Sequence, residues 1–340
     1  MPASVYVGDG RLTVRDLPVP TPGPHQVLVE VSQCGICGSD MHLVRGDYAR
    51  VGTVLGHEWA GTVVEVGEAV AGWEPGARVV SDPGRGCGQC RPCRLGRPAV
   101  CLEREPPNYL SFGGAFCRYV VVEADRLRRL PDALSTRAAA LTEPTAIALH
   151  VVNLAPVSPG DRVLVTGAGP VGLLVVAVLR AAGVTDITVT EPSPPRRARA
   201  TEVGATTVLT PDELPRPALG VPVDRPYAVA FECSGHAAAV EAALDQLDAA
   251  GTLVLVGTGR EQPRINHNRM IVLELTLLGG YNYDDDDGFG PALELLASGA
   301  VPTDLLIEPD DVALDDIGDA MRRLAEGEIA GKVLVRPRGR

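Results

Sequence analysis

Arg162-Val163-Leu164-Val165-Thr166 runs directly into Gly167-Ala168-Gly169-Pro170-Val171-Gly172, and the apolar residues 173–179 follow at once. An apolar strand, a G-x-G-x-x-G turn and a helix in that order form a seat for the pyrophosphate of a dinucleotide. Gly167 permits the tight turn, Gly169 lets a pyrophosphate approach the backbone, and Gly172 lets helix and strand pack closely. Pro170 and Val171 open the helix, whose N-terminus offers partial positive charge to phosphate. Glu191 stands 19 positions beyond Gly172, close to the ~20 expected of an acid that hydrogen-bonds a ribose diol. A carboxylate there repels a 2′-phosphate, which favours NAD over NADP, although Arg196 and Arg197 follow closely enough to be candidates for a phosphate.

Outward from this turn the chain alternates. Helix is predicted over 170–182, 195–203 and 237–248, and strand over 186–191, 206–209, 228–233, 252–256 and 275–279, which means a doubly wound parallel α/β sheet. Residues 212–226, rich in Pro and polar side chains, read as a surface loop. The first ~130 residues differ in texture. They are rich in Gly and Pro, with β-branched runs at 26–32, 61–66, 77–81 and 119–123, the pattern of an irregular all-β unit. An Ala-rich helix capped by Ser135 follows and is expected to break at Pro144. Past 281, helices near 289–298 and 315–326 and a strand at 332–335 are too few for a separate core and are expected to return to the first unit.

Composition removes several classes of function. With 31 basic against 43 acidic side chains the net charge is −12, so nucleic acid and anionic membrane surfaces are not expected partners. The apolar run 173–179 falls far short of the ~20 residues that span a bilayer, and the first residues lack the pattern of an export signal. The expectation is a cytoplasmic protein. Lys332 is the one lysine among the basic residues, which argues against Schiff-base chemistry and against a P-loop. Eight cysteines in such a chain point to metal or catalysis rather than to disulfides.

Cys87, Cys90, Cys93 and Cys101 form C-x2-C-x2-C-x7-C in a Gly-, Pro- and Arg-rich segment with almost no apolar content to hold it. Four thiolates around one zinc ion would order such a loop, with an iron–sulfur cluster as the competing metal reading. A second set is dispersed: Cys37 in Cys37-Gly38-Ser39-Asp40, then His42, Gly56-His57-Glu58, and Glu143 before Pro144. Thiolate, imidazole and carboxylate leave a fourth zinc position open, the arrangement of a catalytic site. Asp40 suits a carboxylate that orients His57.

Taken together, these residues, with Phe231-Glu232-Cys233-Ser234-Gly235 and Gly331-Lys332-Val333, resemble the zinc-dependent medium-chain dehydrogenase/reductase family, in its sorbitol, butanediol and threonine dehydrogenase branch. The resemblance implies a GroES-like, mostly β catalytic domain over 1–147 with a zinc lobe at 84–104. It implies a Rossmann domain over 148–284 and a return segment over 285–340 that completes the catalytic domain. Carried onto this chain, it makes Cys37, His57 and Glu143 the ligands of a catalytic zinc, with Glu58 able to enter in place of Glu143. The four cysteines then hold a structural zinc, and Ser39 and His42 form the proton relay. It implies homodimers or homotetramers and hydride exchange between NAD(H) and a secondary alcohol or polyol, or its ketone. Zinc would lower the pKa of the substrate hydroxyl by many units, as it does for water. Threonine, amino-alcohol or aminocyclitol oxidation and NADPH-dependent carbonyl reduction stand as alternatives. A tyrosine commonly follows the relay histidine in the sorbitol branch, and Leu43 stands here instead. Arg45, Tyr48, Phe112, Tyr281 and Asn282 fall in segments that border the cleft in relatives, while the acidic run 284–287 reads as a solvated loop.

Overall fold

The computed structural model describes residues 1–340 apart from 47, 83–85, 104–113, 216, 218–222, 284–287 and 339–340, so Phe112 and the acidic run 284–287 lie outside the described residues. Short β-branched runs separated by Gly and Pro make strands in the first part of the chain. β1 (Pro2–Gly8) and β2 (Arg11–Asp16) form an antiparallel hairpin through Asp9 and Gly10, both at positive φ. β3 (Gln26–Gly35) runs through a second sheet and leads into α1 (Gly38–Arg45). It pairs along its length with β4 (Glu58–Val66), which pairs with β5 (Arg78–Ser81). A single turn, α2 (Arg91–Arg94), precedes β6 (Tyr119–Glu123) on the other edge of β3, and β7 (Leu127–Arg129) closes against β5.

Ser135 caps α3 (Thr136–Ala139), its Oγ accepting from Ala138 N at 3.1 Å, as expected. The break falls at 140–141 instead of at Pro144. Pro144 sits inside the first turn of α4 (Thr142–Leu154), where a missing N–H costs nothing because the first N–H groups of a helix have no partner within it.

The alternating half follows its periodicity. β8 (Arg162–Thr166), α5 (Pro170–Ala181), β9 (Asp186–Thr190), α6 (Pro194–Val203), β10 (Thr207–Leu209), β11 (Tyr227–Glu232), α7 (Ala237–Asp245), β12 (Leu247–Leu255), α8 (His267–Val272) and β13 (Thr276–Gly279) succeed one another. Among the described residues the strands lie in the order β10-β9-β8-β11-β12-β13, all parallel. Val163, Leu164 and Val165 have no exposed surface, as expected of a strand covered on both faces. The order reverses between β8 and β11, and in such sheets that is where a crevice opens at the carboxyl ends of the strands.

The tail of the chain divides. α9 (Phe289–Ala297) lays Phe289, Ala292, Leu293 and Leu296 into the apolar cluster that also holds α4 and α5, on the side of the parallel sheet. The short α10 (Thr303–Leu306) follows, its Leu306 in the same cluster. α11 (Ile317–Ala325) instead buries Ile317, Ala320, Met321 and Leu324 against the first unit, and β14 (Leu334–Val335) pairs with the end of β3.

A methyl group on Gly172 would sit 2.0 Å from the carbonyl oxygen of Gly167, where only backbone can yield. Gly172→Ala is expected to lower unfolding stability in urea by about 1–3 kcal/mol. A wild-type midpoint would show that the turn has room to spare.

Candidate active site

The site begins with a short helix that its own sequence favours poorly. Gly38 and Ser39 open α1, and the helix is held at its start by Asp40, whose Oδ2 accepts from Cys37 N at 3.0 Å. The same carboxylate is fully buried and reaches the other half of the site: Oδ1 accepts from Gly56 N at 3.3 Å and lies 3.5 Å from His57 Nδ1. One side chain therefore fixes where Cys37 and His57 stand relative to each other. Gly56 has φ +93°, and a Cβ there would fall 2.8 Å from Cys34 Sγ, so the sharp bend before His57 requires glycine.

One donor atom from each of Cys37, His57 and Glu58 lies within 4.8 Å of the other two. Thiolate, imidazole and carboxylate at that spacing suit a zinc ion with one position open. The acid in this set is Glu58, the second of the two carboxylates that the resemblance offers; Glu143 does not fall in it. Glu143 lies buried in the first turn of α4; burial pushes its carboxyl up to about 7, with Glu58 and Asp82 adding to this and His57 and Lys332 opposing it. Burial alone would lower the pKa of His57, but the charge of Asp40, then that of Cys37, outweighs it and holds the imidazole well above its usual range. Ser39 Oγ is 3.5 Å from His57 Nε2, at the rim of the donor set. His42, one turn further along α1, is exposed, with the ring of Tyr48 against it at 5.4 Å between centroids.

Lys332 enters the site from the far end of the chain. Its Nζ lies 2.6 Å from both carboxylate oxygens of Glu58 and donates to Ile36 O at 3.2 Å, in a setting that buries both side chains. Removing one partner of such a pair typically costs about 3–5 kcal/mol, because the other charge is left buried alone.

The four cysteines expected to share a metal do converge. Cys90 Sγ lies 3.4 Å from Cys93 Sγ and 3.7 Å from Cys101 Sγ. Zinc–sulfur bonds of about 2.3 Å in a tetrahedron place the sulfurs about 3.8 Å apart, so the set fits one ion. Backbone N–H groups of Gln89 and Cys90 donate to Cys87 Sγ and lower its pKa, which favours the thiolate. Cys34, Cys117 and Cys233 behave as packed thiols, with burial pushing the pKa of each up.

At the crevice, the turns after β8 and β11 touch: a Cβ on Gly167 would lie 2.9 Å from that of Ser234. Gly169 differs, because its Cβ direction is open space, which is the room a pyrophosphate needs against the backbone. Glu191, buried at the end of β9, accepts from Ala168 N and Ser193 N, each at 2.8 Å, and so stands beside the turn. Arg196 is engaged by backbone carbonyls. Its Nε donates to Ile329 O at 2.9 Å and its terminal nitrogen to Leu324 O at 2.6 Å, so the guanidinium caps the carbonyl end of α11. Arg197 is likewise turned to the carbonyls of Glu191 and Pro192.

Comparison with known proteins gives the family. Residues 23–132 match the alcohol dehydrogenase GroES-like domain and residues 170–298 match the zinc-binding dehydrogenase domain. Sorbitol dehydrogenase of Ovis aries is 34% identical over 313 residues, covering 87% of this chain and 86% of that protein. The chain belongs to the zinc-dependent medium-chain dehydrogenase family, in its sorbitol dehydrogenase branch. Among solved structures, a zinc-binding dehydrogenase from Sinorhizobium meliloti 1021 bound to NADP superposes with a TM-score of 0.88 at 33% identity, covering 99% of each chain. The 2R,3R-butanediol dehydrogenase of Bacillus subtilis superposes at 0.86 with 30% identity, again over 99% of each.

As a medium-chain dehydrogenase the protein is an oxidoreductase of alcohols or polyols that works with zinc and a nicotinamide cofactor. Among the described residues no helix is long and apolar enough to cross a membrane. Two participants escaped the reading of the sequence. Lys332 carried a signal, as the one lysine of the chain, but its partner is 274 positions away. Tyr283, which donates from its hydroxyl to buried Asp82 at 3.2 Å, carried none.

Asp40→Asn keeps the shape but loses the charge beside His57 and gives an amide to one of the two N–H donors. Zinc affinity at the Cys37 site is expected to fall about 10- to 100-fold, read by competition with a chromophoric chelator. Unchanged affinity would remove Asp40 from the metal's support.

Proposed function

We propose that this dehydrogenase oxidises the secondary hydroxyl of a polyol or related alcohol to the ketone, and runs in reverse, with NAD as the hydride acceptor. Cys37, His57 and Glu58 hold the catalytic zinc, with Glu143 outside that set, and Cys87, Cys90, Cys93 and Cys101 hold a structural one. The observation that carries this reading is the convergence of the Cys37, His57 and Glu58 donors beside the Ser39 hydroxyl. When bound, zinc supplies a Lewis acid that makes the substrate hydroxyl far more acidic. The nicotinamide supplies the acceptor for hydride.

The residues of the chain do the rest. Asp40 holds His57 in place, and Ser39, 3.5 Å from His57 Nε2, is placed to take the hydroxyl proton of a substrate seated at the donor set. His42 lies three positions on, on the same face of α1 and exposed, so it is placed to pass that proton to water. Gly167, Gly169, Pro170, Val171 and Gly172 cradle the pyrophosphate at the start of α5. Glu191 receives the ribose diol and disfavours a 2′-phosphate, which supports NAD over NADP.

We further take residues up to about 147 with the C-terminal strand as the catalytic domain and the parallel sheet as the nucleotide-binding domain. A homodimer or homotetramer is supported by the edge strand β13, bordered by exposed Ile271, Val272 and Tyr281. Sedimentation at micromolar concentration is expected to give a multiple of the 35.6 kDa chain; a monomer would refute this. Eight unpaired thiols suit a reducing, cytoplasmic setting.

Steady-state kinetics on a panel of polyols tests the reading. Ser39→Ala is expected to lower turnover about 10²- to 10⁴-fold with both zinc ions retained, and the wild type to prefer NAD. Wild-type rates in that variant would remove Ser39 from the mechanism, and a preference for NADP would overturn the role of Glu191.

A further inference from the structure

Glu58 serves two partners at once. It belongs to the metal-donor set with Cys37 and His57, and both of its oxygens are also held by Lys332 Nζ at 2.6 Å. An ammonium has three hydrogens, and those of Lys332 have three acceptors: the two Glu58 oxygens and Ile36 O. Both side chains are out of water, at 2% and 0% exposure, so this is not a surface ion pair.

The surroundings are built for the pair. A Cβ on Gly35 would fall 2.2 Å from Glu58 Oε2 and 3.2 Å from Lys332 Cδ, so glycine makes the room both need. The lysine backbone is anchored on both sides, with its N donating to Leu306 O at 2.7 Å and its carbonyl accepting from Glu308 N at 2.9 Å. Its position is therefore set by the fold and does not depend on the metal.

We propose that Lys332 is a positioning residue for the catalytic metal: a resident cation that compensates the buried Glu58 carboxylate before zinc arrives and then competes with zinc for it. This rests on the metal-site reading above. The physical reason is that a buried carboxylate without a cation is costly. Lys332 lets the donor set stay folded without metal, and the same positive charge, held on the carboxylate that zinc would share, would loosen zinc once bound. It also keeps Glu58 from being drawn fully onto the metal, which preserves the open coordination position. The arrangement exchanges some metal affinity for a preformed site.

The test uses the full chain, metal-stripped and then titrated with zinc alone, with the four-thiol lobe as an internal control for folding. In Lys332→Met the Tm of the metal-free chain is expected to fall by about 5–10 °C and that of the zinc-loaded chain by less than about 3 °C. By linkage, zinc affinity at the Cys37 site should then rise about tenfold or more, while the lobe keeps its affinity. Lys332→Arg should stay near the wild type in both respects. A purely packing role would lower both Tm values equally and leave affinity unchanged, and that result, or a weaker site, overturns the proposal. If Lys332→Met does not fold, the wild type suffices, because ¹⁵N-lysine labelling gives one side-chain signal in this chain. Zinc should move that signal in the wild type but not in Cys37→Ser; a signal that zinc does not move overturns the proposal. A wild-type chain that takes zinc only in its lobe removes the metal-site reading and this inference together, whereas equal Tm losses remove this inference alone.

Discussion

The active site depends on a single buried carboxylate. Asp40 accepts from Cys37 N and Gly56 N and faces the His57 ring, joining two segments that lie sixteen or more positions apart. Without those contacts the start of α1, with its glycine and serine, has little reason to be helical, and the thiol of Cys37 has no fixed relation to the imidazole. Hydrogen bonds to a charged acceptor are worth roughly twice neutral ones, and here they are spent on geometry. The rest of the site builds outward: Ser39 and His42 follow along the helix, and Glu58 follows along the strand.

A second constraint concerns how the two halves of the molecule are kept in register, since metal and nicotinamide come from different units. The nucleotide-binding unit reaches the C-terminal segment through its α6 side chains. Arg196 caps α11, Ser193 Oγ donates to Gly327 O at 2.7 Å, and Arg199 donates to Leu305 O at 2.6 Å. The C-terminal segment in turn pairs with β3 and delivers Lys332 to Glu58. The chain therefore leaves the first unit, forms the crevice and returns to tie the crevice to the metal-donor set.

Which of this is legible in the residues follows from the range of each interaction. The glycine turn acts through neighbours in sequence, so strand, turn and helix could be read directly, and the alternation after it pointed to the parallel sheet. The four cysteines sit within fifteen positions of one another and needed no tertiary knowledge. The spacing of Arg196 suits a phosphate, whereas its contacts with the carbonyls of Leu324 and Ile329, more than 120 positions away, could not be read from the sequence. Pro144 misled: a proline marks a helix boundary, but only the tertiary fold says whether it stands just after an end or just inside a start. That Glu58, and not Glu143, falls in the donor set with Cys37 and His57 has the same root. Residue types name the possible ligands, and distance, which the chain order does not carry, chooses among them.

The central claim is one metal ion shared by Cys37, His57 and Glu58. Anomalous diffraction from crystals of the purified protein at the zinc absorption edge tests it most directly. The account predicts two peaks per chain, one amid the four cysteines and one about 2.0–2.3 Å from Cys37 Sγ, a His57 ring nitrogen and a Glu58 oxygen. A peak in the lobe alone, or a second peak that Glu143 reaches and Glu58 does not, would contradict it.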